Sequence, residues 1–224
     1  MLKTKHKLFR RTLSVLLAVV ILIGMVPANV FAAEAKNNDY IPGDVNGDEL
    51  VNALDVNLVR RHIAGGYDVK LSEVHGMAQR GGSVVTFVRY GEKVAEPIVE
   101  EGQADVIIAF EKLEALRYSH FLKKDGALII NDWRIDPMPV VIGAAQYPEN
   151  IIENLSKEHK VYTVNATEEA KKLGNSRVFN MIVLGIAAQH MDFAKETWYE
   201  VIENTVPPKT IDINKKAFEV GYSL

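Results

Sequence analysis

The stretch from residue 104 to residue 110 is the feature that most constrains the fold. Its sequence, ADVIIAF, is a nearly continuous apolar run, a pattern typical of strands that are buried on both faces of a parallel sheet. A helical segment, residues 111–122, follows it, and Asp125-Gly126 is predicted to turn the chain into a second strand, residues 127–131. Parallel neighbours need a crossover of this kind. The stretch therefore predicts a β-α-β unit with a right-handed connection.

The rest of the second half alternates in the same way. Apolar patterns predict further strands at residues 67–71, 84–90, 140–143 and 160–164. Helices are predicted at residues 148–158, 166–173, 177–190, 195–204 and 211–220, with Gly174 ending the second of these. The fold class is therefore α/β: a partial, doubly wound (Rossmann-like), mostly parallel sheet with a helical C-terminus. With 224 residues, of which 48% are apolar, the chain can form one large domain or a medium domain with appendages.

A polar, glycine-containing loop at residues 72–83 separates two of the predicted strands. Its candidate binding residues are Glu73, His75, Gln79, Arg80, Gly81 and Gly82. Arg80 and the amides of Gly81 and Gly82 could hold a carboxylate or a phosphate, and His75 could transfer a proton. The alternative is that the loop is a scaffold at a subunit interface, with Arg80 paired to Glu73. No confident catalytic residue emerges, because sequence proximity of serine and histidine does not make a triad.

The first 32 residues have the pattern of a secretory signal peptide. A basic head lacking acidic residues precedes an apolar stretch, residues 13–26, and small residues follow it. The alternative is a membrane anchor, although the apolar run is short for a spanning helix, which needs about 20 residues. Residues 33–42 then form a short polar linker.

Oxygen-bearing side chains recur at residues 43–64 with the spacing of a calcium loop that runs into a helix. The candidate ligands are Asp44, Asn46, Asp48, Asn52 and Asp55, which match an EF-hand-like order. The segment resembles the first repeat of a type I dockerin. It departs from that pattern at Glu49, where glycine is usual, and because a second repeat is missing. The alternative is an Asx-rich surface turn that binds no metal. Weak Ca²⁺ binding is predicted, with poor or absent binding to a cohesin.

Three segments of the second half carry a family resemblance: SEVHGMAQRGGSVVTFVRYG, ADVIIAFEKLEALRY and GNSRVFNMIVLG. They resemble the beta subunits of indolepyruvate ferredoxin oxidoreductases, which belong to the gamma-type domain family of 2-oxoacid:ferredoxin oxidoreductases. The resemblance runs from about residue 65 to residue 224. It implies a part in the oxidative decarboxylation of aryl 2-oxoacids with coenzyme A and ferredoxin.

The resemblance also implies a division of labour between subunits. Thiamine diphosphate and iron–sulfur clusters would sit on a larger partner subunit, so ferredoxin is contacted only indirectly and this chain is not active alone. The absence of cysteine excludes iron–sulfur ligation by this chain. The loop at residues 73–82 would then touch substrate or coenzyme A, or form the interface. A net charge of −3 gives no reason to expect nucleic acid as a partner.

Two features of the sequence conflict with this resemblance. The family opens with a strand, a glycine-rich turn and a helix, and no such segment is recognised before residue 65, so the domain is predicted to be N-terminally truncated and its sheet incomplete. The signal peptide predicts secretion, whereas a ferredoxin-linked enzyme belongs in the cytoplasm. The sequence is therefore interpreted as a chimera of an exported dockerin-like half and an oxidoreductase half. The alternative function is a secreted, calcium-dependent cohesin-binding module of a cellulosome with inactive cargo.

Overall fold

The computed structural model describes residues 13–19, 67–75 and 84–224. Its strands are β1 (Leu13–Val19), β2 (Asp68–His75), β3 (Val84–Gly91), β4 (Ala104–Ala109), β5 (Leu122–Asn131) and β6 (Lys160–Val164). Its α-helices are α1 (Lys112–Tyr118), α2 (Met138–Val141), α3 (Ile151–Leu155), α4 (Ala166–Lys172), α5 (Phe179–Ala188), α6 (Lys195–Thr205) and α7 (Ile211–Tyr222). Within these residues, no helix has the length and apolar character that crossing a bilayer requires.

The strands form one mixed sheet in the order β2-β3-β1-β4-β5-β6. Strands β1, β4, β5 and β6 pair in parallel, whereas β3 runs antiparallel to both of its neighbours, β1 and β2. Helices connect the parallel strands β4, β5 and β6, as such strands require. The predicted α/β fold with a mostly parallel sheet and a helical C-terminus is therefore confirmed.

Strand β1 corrects the prediction that the sheet lacks its first strand. Leu13–Val19 lies inside the sheet, where Leu16 pairs with Phe87 of β3 and with Ile107 of β4. The same residues form the apolar middle of the predicted signal peptide, and that prediction stays a prediction. A short apolar run has the same pattern in both settings. The prediction that a glycine-rich turn and a helix are missing before residue 65 concerns residues that lie outside the described part of the chain.

Side chains along β4 and β5 alternate between two hydrophobic cores, one on each face of the sheet. Val106, Ile108 and Ile129 face a core that contains α4, α5, α6 and α7, whereas Ile107 and Ile130 belong to a second core with α1 and α3. Successive side chains of a strand point to opposite faces. The central strands are therefore apolar along almost their whole length because both faces are buried.

Two of the C-terminal helices, α5 and α7, approach each other closely. Phe218 of α7 and Ile182 of α5 have no exposed surface. A Cβ added at Gly185 would overlap the Phe218 carbonyl oxygen, and one added at Gly221 would overlap the Ile182 carbonyl oxygen. The two helix backbones therefore touch at this crossing, which only glycine permits.

Several local predictions differ from the structure. Residues 140–143, predicted as a strand, belong partly to helix α2, because Pro139 in its first turn pre-sets a helical φ. Asp125-Gly126, predicted as a turn, lies within β5, where the pairing register with β4 shifts. Helix α3 is shorter than the predicted residues 148–158. By contrast, β6 has the predicted bounds, and Gly174 has φ +86° after α4.

Candidate functional site

The carboxyl ends of five strands lie along one end of the sheet. Strands β1, β4, β5 and β6 are parallel, and β2 points the same way because two antiparallel pairings separate it from β1. Pairing His75–Val84, Val84–Val19 and Ala18–Ala109 places the ends of β2 and β4 at nearly the same level. Open α/β sheets bind ligands at this end. We call it the carboxyl end of the sheet.

The predicted polar loop begins at the carboxyl end. Strand β2 continues beyond the predicted residue 71 to His75, because Glu73 pairs with Thr86 and His75 with Val84. The side chain of Glu73 is exposed. The other four candidates, Gln79, Arg80, Gly81 and Gly82, lie outside the described residues. The structure therefore places two of the six at the carboxyl end, and their predicted contacts stay predictions.

A buried glutamate that the sequence analysis missed organises the same end of the sheet. Glu111, two residues beyond β4, is only 2% exposed. Its Oε2 accepts a hydrogen bond from the Glu114 amide of α1 (3.0 Å), and its Oε1 accepts one from the Ile135 amide (3.2 Å) and one from the Tyr147 hydroxyl. One carboxylate therefore joins three separate segments. The signal available in the sequence was a glutamate at the N-cap of a helix, directly after a buried strand.

The phenol of Tyr147 is held as a hydrogen-bond donor. Burial, and next the hydrogen bond to the Glu111 carboxylate, raise the pKa of Tyr147 far above its usual value. The Arg134 guanidinium lies over the Tyr147 ring, 4.4 Å from its centroid, in a cation–π contact. The Arg134 Nε also donates to Asp136 Oδ1 over 2.7 Å, which raises the pKa of Arg134. Arg134 is therefore positively charged at any physiological pH.

An open cavity of about 730 Å³ adjoins this network. Its walls carry the cations Lys112 and Arg134 and the anions Asp132, Glu149 and Glu153, together with apolar residues before and within α3. Lys112 Nζ contacts Asp132 Oδ1 at 2.8 Å. The mixture of charges suits a ligand or a protein surface with both polar and apolar parts better than a simple anion.

Asn131 ties together the loops behind this cavity. Its side chain is 1% exposed, and its Nδ2 donates to the Phe110 carbonyl (3.2 Å). Its Oδ1 accepts from the Ala166 amide over 2.9 Å, at the start of α4. The side-chain amide of Asn131, at the end of β5, therefore satisfies one backbone group just beyond β4 and one at the start of α4.

The predicted calcium ligands, Asp44, Asn46, Asp48, Asn52 and Asp55, lie outside the described residues. In the part of the chain that the structure does describe, no group of three or more acidic or histidine side chains is close enough to hold a metal ion. The described residues at the carboxyl end are cations, a phenol, an amide, the buried carboxylate of Glu111 and the exposed carboxylates of Asp132 and Glu149. They can bind and orient a ligand or a protein surface.

Comparisons with known proteins agree with this fold. The family model described as pyruvate ferredoxin/flavodoxin oxidoreductase matches residues 54–224. It begins before the predicted boundary at residue 65 and overlaps the end of the dockerin-like segment. The indolepyruvate oxidoreductase subunit IorB of Thermococcus kodakarensis is 42% identical over 192 residues, covering 83% of this chain and 95% of that one. The 2-oxoglutarate synthase subunit KorC of Methanothermobacter marburgensis is 29% identical over 162 residues, covering 70% and 80%.

Solved structures show the same fold at lower identity. The pyruvate oxidoreductase subunit PORC of Thermotoga maritima has a TM-score of 0.56 at 17% identity, covering 95% of this chain and 96% of that one. The 2-oxoglutarate:ferredoxin oxidoreductase of Magnetococcus marinus has a TM-score of 0.58 at 16% identity, covering 95% of this chain but 30% of that one. Because the family match covers more than half of the sequence, the chain belongs to the pyruvate ferredoxin/flavodoxin oxidoreductase family.

Proposed function

We propose that this chain is the small subunit of a 2-oxoacid:ferredoxin oxidoreductase that acts on aryl 2-oxoacids such as indolepyruvate. The observation that carries the proposal is the 42% identity to the IorB subunit across 95% of its length. The relative named for 2-oxoglutarate is only 29% identical. The difference favours an aryl substrate over a dicarboxylate.

The redox cofactors are assigned to a larger partner subunit. This chain contains no cysteine, so it cannot supply the thiolates that hold iron–sulfur clusters. Thiamine diphosphate likewise belongs to the partner. The partner carries out the decarboxylation, coenzyme A takes up the acyl group, and ferredoxin accepts the electrons. This chain supplies surfaces that bind and orient.

The loop at residues 73–82 is proposed to work beside the larger subunit. Glu73 and His75 lie in the last three residues of β2, at the same end of the sheet as Glu111 and Arg134. Arg80, with the amides of Gly81 and Gly82, would hold a phosphate of coenzyme A or a substrate carboxylate. The alternative role is interface scaffold. If Arg80 contacts coenzyme A, Arg80→Ala should raise the KM for coenzyme A in the assembled enzyme. If the loop is scaffold, the same variant should weaken assembly and leave the KM for coenzyme A unchanged.

Reconstitution tests the function directly. The full chain and the larger subunit are purified without oxygen, mixed, and assayed for reduction of ferredoxin with indolepyruvate and coenzyme A. We expect activity only when both subunits are present, and a higher kcat/KM for indolepyruvate than for 2-oxoglutarate. An assembled complex that prefers 2-oxoglutarate would contradict the substrate class. Activity of the larger subunit alone would contradict the role of this chain.

The predicted signal peptide raises the question of the compartment in which the protein works. We propose that the functional form stays in the cytoplasm and keeps Leu13–Val19, because a ferredoxin-linked reaction takes place there and because those residues pair with β3 and β4. N-terminal sequencing of the protein purified from the cytoplasmic fraction tests this. A mature N-terminus near residue 33 in the secreted fraction would contradict it. Weak Ca²⁺ binding at Asp44 stays a prediction, to be tested by titration of the parent chain and Asp44→Ala.

A further inference from the structure

Residues 137–145 form an apolar protrusion near the candidate site, and we call it the arm. It contains helix α2, and α2 has no buried residue. Met138, Val141 and Ile142 are 55%, 63% and 68% exposed. Soluble proteins rarely leave neighbouring large apolar side chains in water unless the surface has a partner. The arm is therefore a candidate interaction surface.

The arm is held rigidly although it buries nothing. Its amides at Val141 and Ile142 donate to the Pro137 and Met138 carbonyls, both over 3.0 Å. The Ala144 amide donates to the Pro139 carbonyl over 2.8 Å. Gly143 has a φ of +75°, which lets the chain reverse direction at this point. A protrusion that is ordered before it binds loses less conformational entropy on binding.

Glu111 clamps both flanks of the arm. Its Oε1 accepts from the Ile135 amide on one side and from the Tyr147 hydroxyl on the other. The cation–π contact of Arg134 with Tyr147 joins the same two flanks a second time. A buried carboxylate is costly to maintain without strong partners. Its presence here shows that the flanks have one defined geometry, which presents the arm outward.

From these observations we propose that the arm inserts into an apolar groove on the larger subunit of the oxidoreductase; this rests on the proposed function. With more than half of each side chain exposed, Met138, Val141 and Ile142 together present roughly a few hundred Å² of apolar surface. A two-fold contact between two arms would bury about twice that, below the 1,200–2,000 Å² of a stable interface. A larger partner can surround the arm and also cover the adjacent cavity, and so it is favoured over a second copy.

The test compares assembly of the wild-type full chain with that of Val141→Asp/Ile142→Asp. A charge on each apolar side chain should weaken binding to the purified larger subunit by tenfold or more, measured by anaerobic biolayer interferometry. Leu224→Asp is the matched control, because Leu224 is 71% exposed and lies outside the arm. It should bind like the wild type. The milder Ile142→Ser should weaken binding less, which guards against a variant that fails to fold.

The outcomes separate the two proposals. If the wild type binds and the double variant binds equally well, the arm is not the docking element, whereas the proposed function stands. If the wild type does not bind the larger subunit at all, the proposed function fails and this inference fails with it. Sedimentation can show that the chain alone is a dimer and that substitutions in the arm, but not the control substitution, dissociate it. In that case the arm binds a second copy of the chain, and our assignment to the larger subunit is wrong.

Discussion

The crossing of helices α5 and α7 and the arm are both rich in apolar residues, yet their environments are opposite. At the crossing, Ile182 and Phe218 have no exposed surface, and two glycines bring the helix backbones into contact. In the arm, Ile142 is 68% exposed and α2 buries nothing. The comparison teaches that apolar composition alone does not identify a core. The crossing stabilises the fold of this chain, whereas the exposed side chains of the arm bury little apolar surface within it.

Removing residues 1–32 should have the largest effect, because it deletes β1 from the middle of the sheet. Strands β3 and β4 would lose a shared neighbour, and each buried backbone group left unpaired costs about 1–3 kcal/mol. We expect no cooperative thermal transition by circular dichroism. Removal of residues 1–12 keeps β1 and is the control. A remaining cooperative transition in the longer deletion would show that the α5–α7 layer folds independently, which would sharpen the contrast with the arm.

Two isoleucines of opposite exposure test the comparison itself. Ile182→Ala leaves a cavity at the helix crossing and should lower the free energy of unfolding by about 2–5 kcal/mol. Ile142→Ala removes the same atoms from the arm and should change the free energy by no more than about 0.5 kcal/mol. Urea denaturation of both variants measures the difference. Equal losses would mean that the arm is packed within the isolated chain and would break the comparison.

The backbone contact between α5 and α7 should tolerate no side chain at Gly221. The Cβ of Gly221→Ala overlaps the Ile182 carbonyl, so the helices must separate, at a cost of about 3 kcal/mol or more. Gly174→Ala is the control. Its Cβ meets no atom within 4 Å, so this variant bears only the strain of its positive φ, about 1–2 kcal/mol. If the urea midpoints of the two variants coincide, the crossing is looser than the structure indicates.

The smallest expected effect concerns a surface network over the helical layer. Hydrogen bonds from Lys195 and then from Tyr199 lower the pKa of Glu219 on α7. A carboxyl group with a lowered pKa stabilises the fold above its unfolded pKa, and this stabilisation is lost as the pH falls through the folded pKa. Glu219→Gln should therefore be slightly less stable than the wild type near neutral pH and equal to it at acid pH. If the difference in stability between Glu219→Gln and the wild type persists at acid pH, the side chain stabilises the fold through packing and not through its charge.

Much of the fold follows from local sequence patterns, because buried strands and amphipathic helices have characteristic periods. These patterns predicted β6 at its observed bounds, the neighbouring strands β4 and β5, and the helical C-terminus. They also located the polar loop whose first residues reach the carboxyl end of the sheet. They did not identify Leu13–Val19 as a strand of the sheet, because a short apolar run does not by itself specify a strand.

The tertiary structure alone decided the remaining features, because each depends on residues that are distant in sequence. Leu16 becomes part of a central strand only when Phe87 and Ile107 lie on either side of it. Glu111 becomes a clamp only when Tyr147, 36 residues later, reaches its carboxylate. Ile142 and Ile182 are both isoleucines, and both lie in apolar segments. Only the packing of distant helices buries one and leaves the other in water, since the hydrophobic effect acts on whatever surface the whole fold brings together.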